Sequence, residues 1–126
     1  MTEQKILIVE DEVLLADRLE EAVLDCGFAV AGPVSTVEAA LRLIENENIR
    51  GAILDISLGF EQKSYAVADA LQAQKIPFLF MTGFLQWDFP EQYRNSILLQ
   101  KPFDLPILIP TLERMLAEGH QESYSS

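Results

Sequence analysis

Apolar residues follow two rhythms along this chain. The run Lys5-Ile6-Leu7-Ile8-Val9 is continuous and rich in β-branched side chains, as expected of a strand buried on both faces. From Val13 to Cys26 the apolar positions fall instead at Leu15, Leu19, Val23 and Cys26. That is the spacing of one helix face, and Gly27 follows as a stop. The alternation then repeats. Phe28-Ala29-Val30-Ala31 reads as a second strand closed by Gly32-Pro33. Ser35 opens a helix whose apolar stripe is Val37, Ala40, Leu41 and Ile44. Glu38 stands three residues after Ser35, the capping-box pattern in which each side chain satisfies a free backbone N–H of the other residue.

Gly51-Ala52-Ile53-Leu54-Asp55 is a third strand that ends in an acid, and Tyr65 to Gln74 a third helix with Ala66, Ala70 and Leu71 inward. Ile76 to Thr82 and Ile97 to Gln100 read as the fourth and fifth strands. Between them Pro90 limits any helix to a short one. Asp104 caps a last helix with Leu108, Ile109, Leu112, Met115 and Leu116 inward. Pro106 is tolerated in its first turn, whereas Pro110 predicts a local kink. Strands alternating with helices predict an α/β fold, a flavodoxin-like doubly wound sheet of five parallel strands in the order 2-1-3-4-5, with helices on both faces. One domain covers residues 1–117, and residues 118–126 read as a polar, mobile tail.

Composition narrows the class. The 126 residues suit a single domain, and 49% apolar with 23% charged residues allows both a core and solubility. No apolar run approaches the roughly 18 residues that span a membrane, and the first residues lack a signal-peptide pattern. A cytoplasmic location is the expectation. The one cysteine, Cys26, excludes an internal disulfide and reads as core. A formal net charge of −11 argues against a nucleic-acid surface, which needs a clustered positive footprint, and leaves no basic output module. His120, in the polar tail, carries no assigned role.

Sites in open α/β sheets form outside the carboxyl ends of the strands. There the first strand delivers Glu10-Asp11-Glu12, the third Asp55, the fourth Thr82 and the fifth Lys101 followed by Pro102. The second strand ends in Ala31-Gly32, nothing polar, and lies at the sheet's border in this order. Any one of these residues alone is ordinary: a solvated acid, a turn threonine, a surface lysine. Their joint placement at successive strand ends points to chemistry. Carboxylates about 4 Å apart repel by about 4 kcal/mol at an effective dielectric of ~20, a cost that a divalent cation removes. Mg²⁺ takes carboxylate and carbonyl oxygens and bridges to phosphate. Asp55 at the centre can then accept a phosphoryl group as an acyl phosphate, with Lys101 and Thr82 answering its charge.

The constellation closely resembles the receiver domain of two-component response regulators over nearly the whole chain. The anchors are Ile6-Leu7-Ile8-Val9-Glu10-Asp11-Glu12, Ile53-Leu54-Asp55-Ile56-Ser57-Leu58, Phe80-Met81-Thr82-Gly83 and Gln100-Lys101-Pro102-Phe103. The resemblance implies that Asp55 receives a phosphoryl group from a sensor histidine kinase or phosphotransfer protein. It implies that Asp11, Asp55 and the carbonyl of Ser57 bind Mg²⁺, that Glu10 acts largely through water, that Thr82 turns toward the phosphate, and that Lys101 contacts it. It also implies a cis Lys101–Pro102 bond, against about 5–6% for X–Pro bonds in general.

Two departures qualify the match. Receivers usually carry Tyr or Phe three residues before the lysine, and here that position is Leu98, so another element must transmit the signal. The loop from Gly59 to Ser64 replaces the common proline-containing turn. The segment Ile76-Pro77-Phe78-Leu79-Phe80-Met81-Thr82-Gly83-Phe84 is similar to a subgroup of stand-alone receivers, found mainly in alphaproteobacteria, in which a Phe-x-Thr-Gly-aromatic motif accompanies loss of the switch aromatic.

The expected function is a stand-alone phosphorylatable receiver in a phosphorelay, signalling to an unidentified downstream protein by contact. It is not a classical enzyme. A receiver-like module that binds its partner independently of phosphorylation is the alternative, for which Leu98 speaks. A Mg²⁺-dependent aspartyl phosphatase would place a second Asp two residues after the nucleophile, where Ser57 stands. Trp87, Phe89 and Tyr93, between the fourth and fifth strands, fit a partner site and core packing equally well. The sequence leaves the oligomeric state open, a homodimer included.

Overall fold

The computed structural model describes residues 3–59, 62–83 and 90–125, with side chains as far as residue 117. In chain order the elements are β1 (Lys5–Val9), α1 (Val13–Asp25), β2 (Ala29–Val34), α2 (Val37–Asn46), β3 (Ile49–Asp55), the two-residue strands β4 (Ser57–Leu58) and β5 (Gln62–Lys63), α3 (Tyr65–Ala73), β6 (Phe78–Thr82), β7 (Ile97–Gln100) and α4 (Leu108–Ser125). Short 3₁₀ turns at Glu91–Tyr93 and Leu105–Ile107 precede β7 and α4 respectively. The main sheet runs β2-β1-β3-β6-β7 with every pairing parallel, the flavodoxin-like order expected.

Alternation along the central strands divides the core in two. Leu7 and Val9 of β1 face one side, with Ala52 and Leu54 of β3, and pack against Ala40 and Ile44 of α2 and Val67, Ala68 and Leu71 of α3. Ile6, Ile8 and Ile53 face the other side, against Leu19 and Val23 of α1 and Leu108, Leu112 and Met115 of α4. With both faces covered, the continuous apolar runs are explained.

Several element ends differ from the sequence reading. The α2 cap is Thr36, whose Oγ1 accepts from the Ala39 N–H at 3.1 Å, not Ser35. The pattern starting at Ser35 is one residue out of register with the helix. In α3 the inward residues are Val67, Ala68 and Leu71, whereas Ala66 is exposed. Ile109 of α4 is exposed as well. A 3₁₀ turn, not an α-helix, follows Asp104, and the α-helix begins only at Leu108. Pro110 thus falls in the first turn of α4, where a proline costs no helical hydrogen bond. The backbone of α4 stays helical to Ser125, through the polar segment after Ala117.

The end of α1 follows the sequence reading closely. Phe28 N–H donates to Val23 C=O and Gly27 N–H to Leu24 C=O, with Gly27 at φ +92. This is the Schellman arrangement that only an αL residue permits. Strand β2 runs past Gly32-Pro33 to Val34. It can include a proline because it is an edge strand with one side unpaired. The Gly32–Pro33 and Lys101–Pro102 bonds are both cis.

Tyr93 belongs to the core. Its ring stacks on Tyr65 with centroids 6.1 Å apart and meets Phe78 and Phe80 edge-on. Its buried hydroxyl donates to Asp69, which satisfies the one polar atom of the ring. Burial, followed by the Asp69 hydrogen bond, raises the pKa of that hydroxyl. Trp87 and Phe89, the other two aromatics of that segment, lie outside the described residues. Cys26 is half-buried against the α1 and α4 side of the core.

Candidate functional site

Four strand ends meet at the carboxyl edge of the sheet. Glu10 follows the last residue of β1, and its N–H donates to Val34 C=O of β2 at 2.9 Å. The edge strand thereby fixes the backbone from which the first acid projects. The Glu10 side chain is fully shielded from solvent. Its Oε2 accepts from the Glu12 N–H at 2.9 Å, and its Oε1 accepts from Lys101 Nζ at 2.9 Å. Asp55 is the last residue of β3, buried, and its Oδ2 accepts from the same ammonium at 3.1 Å. Asp11 is exposed at the rim. Glu10, Asp11 and Asp55 each offer a carboxylate oxygen, all within 4.8 Å of one another.

Thr82 ends β6 and is buried. Its carbonyl accepts from the Lys101 N–H at 2.7 Å, tying the lysine backbone to the neighbouring strand. Ser57 sits two residues past Asp55 in the β4–β5 ribbon, paired with Lys63. The Ser64 N–H donates to Ile56 C=O at 2.9 Å. That bond flanks the Ser57–Lys63 pair and makes it the antiparallel type whose own N–H and C=O groups point away from the partner strand. The Ser57 carbonyl is therefore left out of the ribbon's ladder. All six expected site residues, Glu10, Asp11, Asp55, Ser57, Thr82 and Lys101, thus lie at this edge.

The electrostatics follow from burial. Desolvation pushes the Glu10 carboxyl up to about 7, against the hydrogen bonds from Lys101 and Glu12, and the Asp55 charge adds to the rise. Asp55 is raised chiefly by burial, partly offset by the Lys101 charge and hydrogen bond. Burial works against the Lys101 ammonium, but its Glu10 hydrogen bond and the two carboxylate charges outweigh that, and its pKa is raised. Three carboxylates with one ammonium leave a net negative pocket of hard oxygen donors. This donor set fits Mg²⁺, which takes carboxylates and keeps several waters.

Sequence reasoning missed two parts of the site. The Val34 carbonyl that anchors Glu10 belongs to a strand expected to end at Ala31. The Gly59–Ser64 departure was visible, but the pairing of Gln62–Lys63 with Ser57–Leu58 was not, because two-residue strands carry no periodicity. Leu98, at the place of the usual switch ring, is 39% exposed on the outward face of β7.

No family model matches the chain. The phyllosphere-induced regulator PhyR of Methylorubrum extorquens is 35% identical over 105 residues, 79% of this chain and 38% of that protein. The chain thus spans well under half the length of that relative. The solution structure of SdrG from Sphingomonas melonis Fr1 superposes with a TM-score of 0.78 at 39% identity, covering 90% of this chain and 97% of SdrG. The REC domain of the response regulator PhyR from Erythrobacter litoralis gives a TM-score of 0.78 at 27% identity, over 92% of each chain. The chain belongs to the response-regulator receiver family. Receivers are signalling modules, and a receiver role in two-component signalling follows for this chain. Among its described residues no helix is long and apolar enough to cross a membrane.

Proposed function

We propose that Asp55 is the phosphoryl acceptor of this receiver, with residues 1–117 as the switching unit. The observation that supports this most is the sharing of one ammonium, that of Lys101, between Asp55 and Glu10 at a buried strand edge. Asp11, Asp55 and the Ser57 carbonyl would hold Mg²⁺, with Glu10 behind them acting through water. When bound, the ion neutralises the carboxylates and the incoming phosphoryl oxygens. An Asp55 carboxylate oxygen attacks phosphorus, the bond from phosphorus to the donor breaks, and the leaving group departs with the electron pair. With a phosphohistidine donor that group is the imidazole. Lys101, released from its carboxylate partners, is placed to pair with the new phosphoryl charge, and the Thr82 hydroxyl to hydrogen-bond it. No free substrate is turned over. The reaction is a self-catalysed transfer onto the protein, in keeping with a cytoplasmic relay component.

The donor is proposed to be a histidine kinase or phosphotransfer protein. A cavity of about 360 Å³ beside the lysine, walled by Leu14, Leu15 and Arg18 of α1 and by Pro102 and Phe103, gives such a partner a place to bring its histidine to Asp55. Leu14, 71% exposed, gives that wall an apolar rim.

Incubation with Mg²⁺ and acetyl phosphate should add one phosphoryl group, seen by intact mass. Asp55→Asn should abolish the adduct, and EDTA should slow its formation. No adduct on the wild type, with a known receiver labelled alongside, would overturn the assignment. A second reading, partner binding that ignores phosphorylation, is favoured by the half-exposed Leu98 in place of a switch ring. Equal partner affinity for wild type, phosphorylated wild type and Asp55→Asn would establish it instead.

A further inference from the structure

The β4–β5 ribbon follows Asp55 directly in the chain and is tied down at several points. Its inner residue Leu58 is buried in the core. On the outside, Lys63 Nζ reaches across the pair and donates to Ser57 Oγ at 3.0 Å. Gln62 Oε1 accepts from the Val37 N–H at 3.4 Å, the first amide of α2. Gln62 N–H donates to Gly59 C=O at 3.3 Å. Gly59 lies so close to the acidic cluster that a Cβ there would stand 3.5 Å from Asp11 Oδ2. The ribbon therefore passes beside the rim carboxylate at Gly59, presents the unladdered Ser57 carbonyl, and is bound to α2 at its outer edge.

Lys63 is the puzzling member. A second ammonium near a cation site is electrostatically unfavourable for the cation, so its charge alone would weaken binding. Its bond to Ser57 suggests the opposite effect. In the non-hydrogen-bonded kind of antiparallel pair the two side chains stand closest. A cross-strand bond there restrains both residues where the ladder itself gives the serine no hydrogen bond.

We propose that Lys63 is a positioning residue for the cation site, clamping Ser57 across the ribbon so that its carbonyl and Gly59 stay fixed beside Asp11. This rests on the reading of Asp11, Asp55 and Ser57 as cation ligands. Outer-shell partners of metal ligands commonly change affinity by 10–100-fold, and an exposed lysine belongs at or below the low end of that range.

The test measures Mn²⁺ binding to the full chain by electron paramagnetic resonance of the free ion, for wild type, Lys63→Ala, Lys63→Arg and Asp11→Ala. Hydrogen exchange of the Ser64 amide is followed without metal. Lys63→Ala should weaken Mn²⁺ binding by about 3–10-fold and speed Ser64 exchange. Lys63→Arg, which keeps a donor, should restore most of both. Binding by Lys63→Ala as tight as wild type, or tighter, overturns it and shows that the lysine acts only as a repelling charge. Wild type that fails to bind Mn²⁺, or Asp11→Ala that binds it unchanged, overturns the cation site itself and the clamp with it.

Discussion

Burial weighs heavily on the Glu10 carboxyl. Its carboxyl is held at about 7 in the fold against 4.5 as the ordinary value. Between those values the folded chain keeps a proton that the unfolded chain has lost. The stability contributed by that proton is complete below about pH 4.5 and disappears as the pH rises through about 7. Asp55 is shifted in the same direction by the same cause. The protein freed of divalent cations should therefore melt at a higher temperature near pH 6 than near pH 8. Glu10→Gln, which cannot ionise, should flatten that dependence by an amount on the order of 1–3 kcal/mol. Melts followed by circular dichroism at the two pH values check this, and an equal slope in the variant would place the pH response elsewhere. Restoring Mg²⁺ should reduce the slope in the wild type, because a cation makes the ionised carboxylates favourable.

At the scale of elements, the site depends on the bend of an edge strand. Gly32 has φ +94 and sits where an added Cβ would be 2.8 Å from Val34 N and 3.0 Å from Ile8 O. Both contacts are backbone, which cannot move aside as a side chain could. The register between β1 and β2 shifts here, from Leu7 opposite Ala31 to Val9 opposite Val34. The shift delivers the Val34 carbonyl to the Glu10 N–H. Gly32→Ala should cost well over 1 kcal/mol, through both the left-handed conformation and the clash. It should also weaken Mn²⁺ binding through Glu10, whereas a neutral exposed substitution elsewhere in β2 should not. Urea unfolding with and without Mn²⁺ reads both. The same scale explains where Tyr93 went. Its helical turn follows Pro90 and is short, yet the ring finds Tyr65, Phe78 and Phe80, three partners from two other elements.

Across the whole molecule the excess of acid is general as well as local. The chain carries 20 acidic and 9 basic side chains and a net charge of −11. Among the described residues Lys5 pairs with Glu47, Arg42 with Glu38, and Lys101 with its two site carboxylates. Self-repulsion on this scale opposes the compact state and is screened by salt, with a Debye length of about 10 Å at 0.1 M and about 3 Å at 1 M. The melting temperature at neutral pH should rise with added sodium chloride, and millimolar Mg²⁺ should achieve a comparable rise at far lower ionic strength. A flat response to sodium chloride would show that repulsion does not limit stability. A Mg²⁺ effect lost in Asp11→Ala would locate it in the acidic cluster.

The order of strands and helices was written in the sequence, because burial on two faces imposes apolar runs on strands and a stripe on helices. So was the gathering of Glu10, Asp11, Asp55, Thr82 and Lys101, because an open parallel sheet places its strand ends on one edge whatever the loops do. Tertiary structure decided what depends on contacts between distant segments. It chose Thr36 over Ser35 as a cap, since one residue of helix phase is set by packing on Ala40 and Ile44. It buried Tyr93, whose partners lie up to 28 positions away along the chain. It carried β2 through a proline to reach Glu10, and it paired Ser57–Leu58 with Gln62–Lys63, with Lys63 bonded across to Ser57. The sequence determined which groups meet at Asp55. Only the fold, through burial and one shared ammonium, decided how strongly each of them holds its proton.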